Sequence, residues 1–431
     1  MSNFKCTAAG DSMVFRRFPG EYEGFKELKD FIAKGDMRFF NLETTVHDFE
    51  TFGNELSGGS WFCAEPRVLS DMHNFGFNIL TTANNHALDY GVDGLIKTLE
   101  YVKKEDFPAS GTGKNLAEAS APAYLDTLAG RFALLSCTTS YTPGSTAGEQ
   151  TRYMEGRPGV NAIGSTTTYK VKEEDIETIR RIALETGING AADISRKEGY
   201  LPPLPESVAM LGSVRFEKGE ESGKSTKLNK RDLDRMVNAV KDARFFADYV
   251  AVSIHSHEIK FVSKEEPAEH FEALAHALID AGADVIIGTG PHLIRPIEIY
   301  NGKPIFYSIG DFILQNETMK FVPDGMYLKQ GMTGNENMCD MYDKRSDGGK
   351  KGLYYTRKMF EAIVPFWEVK DGKLTEITLM PIDLGFGEPR STGGLPRPAF
   401  DKGIIERLAE MSKPYGTEIT IDENGFGKVK L

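Results

Sequence analysis

Residues 77–102 read FNILTTANNHALDYGVDGLIKTLEYV. Phe77–Thr82 is a short apolar and β-branched run of strand type, and Asp93–Lys103 repeats its apolar residues at helical spacing. Between them lies a polar turn that carries Asn85 and His86. A strand that runs through a loop into a helix is the repeating unit of an α/β sheet, and ligands of such sheets bind beyond the carboxyl ends of the strands. Chemistry is therefore expected in this turn and in others like it.

The same rhythm extends in both directions. Strand patterns occur at Phe4–Ala9, Arg38–Leu42, Tyr249–Ile254 and Asp284–Ile287, with a helix pattern at Pro267–Ala281. A hairpin follows, in which Asn301-Gly302 joins IEIY to PIFYSI. Phe360–Val369 and Thr375–Leu384 resume strand character, and a helix is expected near Ile404–Lys413. These elements predict one α/β domain over 1–431 with two interruptions. Residues 142–230 are polar and hold one amphipathic helix, Lys172–Thr186, preceded by the strand-like TTTYKV. They are expected to form an insertion over one face of the core, mobile around Glu217–Lys227. Residues 316–351 show little periodicity and are expected as a surface excursion; loops of this length are usually functional or disordered.

Composition removes several classes of function. With 51 Lys and Arg against 63 Asp and Glu the formal charge is −12, and no dense basic run offers a face for phosphates, so nucleic acid is not expected as a partner. No apolar stretch is long enough for a membrane helix, and no signal-peptide core precedes the first strand, which predicts no membrane segment and a cytoplasmic protein. Cys6, Cys63, Cys137 and Cys339 lie far apart, without CxxC spacing, and are expected as reduced and mostly buried thiols.

Metal-competent side chains recur at strand ends. Asp11 closes the first strand pattern in AAGDSM and Glu43 the second in FFNLE; His86, His255 with His257, and His292 follow three others. Each alone reads as a turn residue or a structural histidine. Carboxylates, an amide oxygen and imidazoles converging on one sheet edge would together suit a divalent ion such as Mn, Fe or Zn. His47, His73, His270 and His276 fall on helix faces or loops and are assigned structural roles.

The segments GDSM (10–13), NLETTV (41–46), TTANNHALDYGVDGLIKTLEYV (81–102), SGTGKNLAEASAPAYL (110–125), VAVSIHSHE (250–258) and ADVIIGTGPHLIRPIEIYNGKPIFYSIGDFI (283–313) occur in this order, followed by the tail GLPRPAFDKGIIERLAEMSKPYGTEITI. In them the chain resembles the CapA family of poly-γ-glutamate capsule synthesis proteins, within the calcineurin-like metallophosphatase superfamily. The resemblance implies a four-layer sandwich, two facing mixed β-sheets flanked by helices, with one or two divalent ions at the sheet edge. It implies metal-ligand roles for Asp11, Glu43 as the bridge, Asn85, His255 and His292. His86 would be the catalytic histidine of an Asn-His pair formed with Asn85, and Arg16 or Arg17 a basic residue near substrate. Two departures stand out: Met13 occupies the place of a ligand His in the superfamily's Asp-x-His motif, and Gly290 that of another in Gly-His-x-His. The implied ligand sets are Asp11, Glu43 and His292 for one ion, and Glu43, Asn85 and His255 for the other, with His257 as a replacement or a surface His. Asp311 stands where many relatives have Asn, either as a partner of a ligand His or as a turn residue.

The function that follows is a metal-dependent hydrolase acting on a small-molecule, phosphoester or glutamyl substrate, with water activated by the metal and His86 assisting the leaving group. The alternative is a non-catalytic accessory or binding protein for an anionic glutamyl polymer or peptide that uses the same edge.

Overall fold

The first strand, Asn3–Met13, is central to a ten-stranded mixed sheet. It pairs parallel with Met37–Leu42, which is followed across the sheet by Ile79–Thr81 and Ala109–Ser110. On its other side it runs antiparallel to Glu361–Lys370, the first arm of a long hairpin with Lys373–Asp383. A six-stranded sheet is built around Tyr249–His255, parallel to both Gly130–Thr138 and Val285–Thr289, with the Ile294–Tyr300 and Lys303–Ile309 hairpin at one edge. The computed structural model describes residues 3–18 and 20–431. Strands and helices together establish the α/β class.

Alternation along the strands explains why two sheets form. Cys6, Ala8, Phe39, Ile79 and Trp367 from the ten-stranded sheet share a buried core with Phe132, Leu134, Tyr249, Ala251, Ile287 and Phe306 from the six-stranded one. Side chains two apart on a strand face the same way, so Ala9, Phe40 and Leu80 pack on the other side, in a second core with Phe25, Leu28 and Phe75 of two short helices. Trp367 and Tyr249 are both fully buried, and the indole N–H donates to the phenol oxygen at 2.8 Å, joining the sheets through a satisfied polar pair. Each large apolar side chain in this core contributes roughly 1.5–3 kcal/mol on burial, which holds the two sheets together.

The helix expected after the Asn85–His86 turn spans Gly91–Lys104 and buries Leu95, Thr98 and Val102. Asp93 lies in its first turn and Lys103 and Lys104 in its last, each opposite in sign to the helix dipole end it meets. Among the described residues no helix is long and apolar enough to cross a membrane.

The chain divides into two compact units, Met1–Ile163 with Leu233–Leu431, and Gly164–Asp232. The smaller unit has a four-stranded sheet and the helices Glu173–Thr186 and Gly190–Lys197; residues 217–227 include parts of two of its strands. Residues 142–163 belong to the larger unit, where Gly159–Val160 pairs with Thr112–Gly113. Residues 316–351 contain two short helices, Asp324–Lys329 and Met338–Ser346, and bury Met341 and Tyr342 in the second core. Sparse apolar residues, not a helical period, anchor this segment, which is why its pattern gave no helix.

Candidate metal centre

The carboxyl ends of the strands bring the side chains together. Asp11 is paired in register with Asn41 on one side and Asp311 on the other. That side-by-side placement requires two glycines, because a side chain on Gly10 would collide with the carbonyl oxygen of Gly310, itself at φ 79°. Glu43 follows the Met37–Leu42 strand directly and His255 ends its own, while His292 lies three residues beyond Thr289 at φ 58°. A left-handed backbone is uncommon for a non-glycine residue and here it sets the direction of an imidazole.

Asp11 is fully buried and well satisfied. Its Oδ1 accepts from Asn41 Nδ2 at 2.5 Å and lies 3.5 Å from His255 Nδ1, and its Oδ2 accepts from the Gly290 N–H at 2.7 Å. Burial opposes its charge, but the bond to His255, the charges of His255 and His292 and the bond from Asn41 prevail and hold the carboxyl below its usual range. Asp311 Oδ1 accepts from His292 Nδ1 at 3.0 Å. Burial pushes the Asp311 carboxyl up to about 6 against the pull of His292, with Asp11 adding to the rise.

On the other side of the cluster three atoms converge. Asn85 Oδ1 lies 2.8 Å from His255 Nε2 and 3.1 Å from His257 Nε2, and the two ring nitrogens are 3.1 Å apart. His255 Nε2 is also 3.6 Å from Glu43 Oε1. Burial and the neighbouring imidazoles of His255 and His292 hold His257 well below the usual histidine range.

Glu43 is the outlier. It is fully buried, and neither carboxylate oxygen has a hydrogen-bond partner. Burial, followed by the charges of Asp11, Asp311 and Asp89, raises its carboxyl well above the ordinary value. A buried carboxylate left without a donor costs several kcal/mol, a cost that either protonation or a bound cation removes. Asp311 Oδ2 is likewise buried without a partner. Ligand atoms of Glu43, His257 and His292 lie within 4.8 Å of one another, as do those of Asp11, His292 and Asp311. Oxygen and imidazole donors at this spacing fit one or two divalent ions such as Mn, Fe or Zn.

His86 stands beside this group with its own support. Its Nδ1 donates to Asp89 Oδ2 at 2.6 Å, and its ring stacks on Phe62 with centroids 3.5 Å apart and planes 4° apart. The Asp89 carboxylate also accepts the N–H groups of Gly58 and Phe62, at 2.8 and 2.9 Å. The ring is thus clamped in one tautomer, leaving Nε2 as its working atom.

The structure therefore brings together Asp11, Glu43, Asn85, His255, His257, His292 and Asp311, with His86 nearby. Met13, in place of one expected imidazole, is buried in the apolar core, and Gly290 has φ 112° with no room for a side chain against the Ser256 backbone. Arg16 and Arg17 are not brought to the cluster. Arg17 makes two 2.6 Å bonds to Asp71, and Arg16 donates to the carbonyl oxygens of Arg390 and Gly393, so both guanidinium groups tie together loops and a helix. Sequence reasoning missed Asp89 and Phe62. The three-residue step from His86 to Asp89 in HALD was a signal for the first; nothing local marks Phe62.

The model of the bacterial capsule synthesis protein family, PGA_cap, matches residues 5–316. The protein y4sH of Sinorhizobium fredii is 32% identical over 100% of this chain and 94% of its own length. The PGA biosynthesis protein CapA of Bacillus subtilis is 26% identical over 72% of this chain and 63% of its own length. The capsule biosynthesis protein CapA of Bacillus anthracis is 24% identical over 71% and 59%.

Proposed function

The chain belongs to the bacterial capsule synthesis protein family, and from that premise we propose that it is a metal-dependent hydrolase with a metallophosphatase-like four-layer fold. The observation that carries this reading is Glu43, buried near Asp11, Asp311 and the imidazoles of His255, His257 and His292, with neither oxygen hydrogen-bonded. Asp11, His292 and Asp311 would hold one divalent ion and Glu43, Asn85, His255 and His257 a second or shared one. Asp311 would thereby make up for the imidazole lost at Met13. When bound, the metal supplies Lewis acidity and a water of lowered pKa.

The protein's own side chains supply the rest. His86 Nε2 delivers a proton to the leaving atom, and Asp89 stabilises the imidazolium before transfer. Phe62 covers one face of that ring and keeps water from it. Asn85 is fixed by its Nδ2 bond to the Gly58 carbonyl, which aims its oxygen at the two histidine nitrogens. The substrates that suit such a site are phosphoesters and glutamyl amides.

Metal analysis by plasma mass spectrometry, with a screen of both substrate classes, tests the proposal. Near-stoichiometric Mn, Fe or Zn and turnover lost in both His86→Ala and Asn85→Ala are expected. A protein that takes up no added Mn or Zn, or folded variants of full activity, would sink it. In that case the second reading prevails, favoured by relatives named for PGA and capsule biosynthesis: the same edge binds an anionic glutamyl polymer without turning it over.

A further inference from the structure

Beside the His86–Asp89 clamp lies a cavity of about 310 Å³ walled by Phe49, Phe52, Trp61, Tyr90 and Phe321, with Glu50 among its lining residues. Its position follows from the chain: Trp61 precedes the Phe62 ring stacked on His86, and Tyr90 follows Asp89. The walls are built. Trp61 Nε1 donates to the Asn54 carbonyl at 2.7 Å, the Asn54 N–H to the Asp89 carbonyl at 2.7 Å, and the Thr51 hydroxyl to the Tyr90 carbonyl at 3.3 Å. Gly53 lies so close to the indole that any side chain there would enter the ring.

Phe49 has φ 59°, a conformation a bulky aromatic residue rarely adopts, and its N–H is held by His47 Nδ1 at 3.1 Å. That backbone sets its ring edge-on to Phe321, at 5.4 Å, and to Tyr90, at 6.2 Å. Phe52 is 93% exposed and Phe321 49% exposed, so apolar surface faces solvent where stability alone would favour polar residues.

The chemistry of the cavity selects its ligand. Aromatic faces attract cations through the negative charge of their π-systems, most strongly out of water. The Lys320 ammonium already lies 4.7 Å from the Phe49 centroid and 5.4 Å from that of Phe321. Glu50 adds a carboxylate. His47 Nδ1, 3.8 Å from it, accepts the Phe49 N–H and so carries no proton there to neutralise it. A carboxylate in an aromatic cavity repels anions and gains nothing from a neutral ring.

We propose that this cavity binds an ammonium group, primary or methylated, of the molecule processed at the adjacent centre, and that Lys320 occupies part of it until that ligand arrives. The identity of the ligand as substrate rests on the hydrolase reading; the binding does not, and it is measured on chelator-stripped protein. Choline and its uncharged isostere 3,3-dimethylbutan-1-ol are titrated while tryptophan fluorescence is followed. Of the two tryptophans, Trp61 lines the cavity and Trp367 is sealed in the core, so the signal reports on the cavity. Choline is expected to change the fluorescence saturably and to bind about tenfold more tightly than the alcohol. Glu50→Gln removes most of that preference, and Lys320→Met tightens choline binding by vacating the two rings. Equal affinity for both probes, or choline binding that Lys320→Met leaves unchanged or weakens, overturns the proposal.

Discussion

Asp89 Oδ2 sits 2.6 Å from His86 Nδ1, and the same buried carboxylate gathers the N–H groups of Gly58 and Phe62. One acidic group thus fixes the tautomer of the histidine and folds the 58–62 loop against its ring. Asp89→Asn keeps the shape but can present its N–H₂ to Nδ1, which favours the wrong tautomer. The expected result is a kcat reduced on the order of 10²- to 10⁴-fold, with KM and metal content close to the parent values. Steady-state kinetics beside metal analysis checks this. A variant that loses metal as well would show that Asp89 shapes the ligand set and not the proton donor alone.

Under the proposed function, metal removal would act through a crowding of carboxylates. Asp11, Glu43 and Asp311 lie close together at the sheet edge, and a bound cation would offset a repulsion that the stripped protein keeps. Chelation should therefore lower the thermal midpoint by several degrees, and restored metal at 100 times its dissociation constant should return about 2.7 kcal/mol. In Glu43→Gln the difference between stripped and reloaded protein should largely vanish, as differential scanning calorimetry would register. A Glu43→Gln protein stabilised by metal as strongly as the parent would take Glu43 out of the ligand set.

Much of this site could be read from strand ends. Asp11, Glu43, His255 and His292 were legible because each follows an apolar run whose periodicity is unambiguous, and a parallel sheet aligns such ends. His257 was ambiguous because it lies two residues past the end of its strand, where side-chain direction no longer alternates. Asp311 was harder still. Its proximity to Asp11 depends on the Gly10–Gly310 contact, a close approach between residues 300 apart that no local pattern encodes. The polar segment 142–230 illustrates the same limit: composition marked it as one insertion, whereas the pairing of Gly159–Val160 with Thr112–Gly113 and the bridge from Thr138 to Ala162 join 142–163 to the larger unit.

The guanidinium groups of Arg16 and Arg17 are engaged away from the cluster of Asp11 and Glu43. Two arginines a few residues past Asp11 look available to an anionic substrate, yet Arg17 is engaged at both ends of its fork by Asp71, a nearly buried residue on the Val68–Phe75 helix. Arg17→Ala should cost about 1 kcal/mol of stability, since the arginine side of the pair is partly exposed, and leave kcat/KM within about twofold. Denaturant unfolding and kinetics on one preparation separate the two effects. A tenfold loss of kcat/KM at unchanged stability would return Arg17 to the substrate.

Cys63 raises the question of a different chemistry, because its sulfur lies 3.3 Å from His47 Nε2 in a pairing that resembles an activated nucleophile. The environment works the other way. Burial pushes the Cys63 thiol up to about 12, against smaller opposing bonds from Thr45 and the backbone, and burial likewise raises Cys6 well above its ordinary value. A raised thiol pKa means that the thiolate is scarce at every pH below it, so moving from pH 7 to pH 9 should not expose a new nucleophile. Of the four cysteines only Cys339 is exposed. An aromatic disulfide reagent at pH 8 should therefore titrate one thiol in the native protein, none in Cys339→Ser, and all four after unfolding in guanidinium. Rapid labelling of a second thiol in the native state, lost on Cys63→Ala, would mean that His47 does activate Cys63 and that a cysteine nucleophile competes with the metal centre as the source of any hydrolysis.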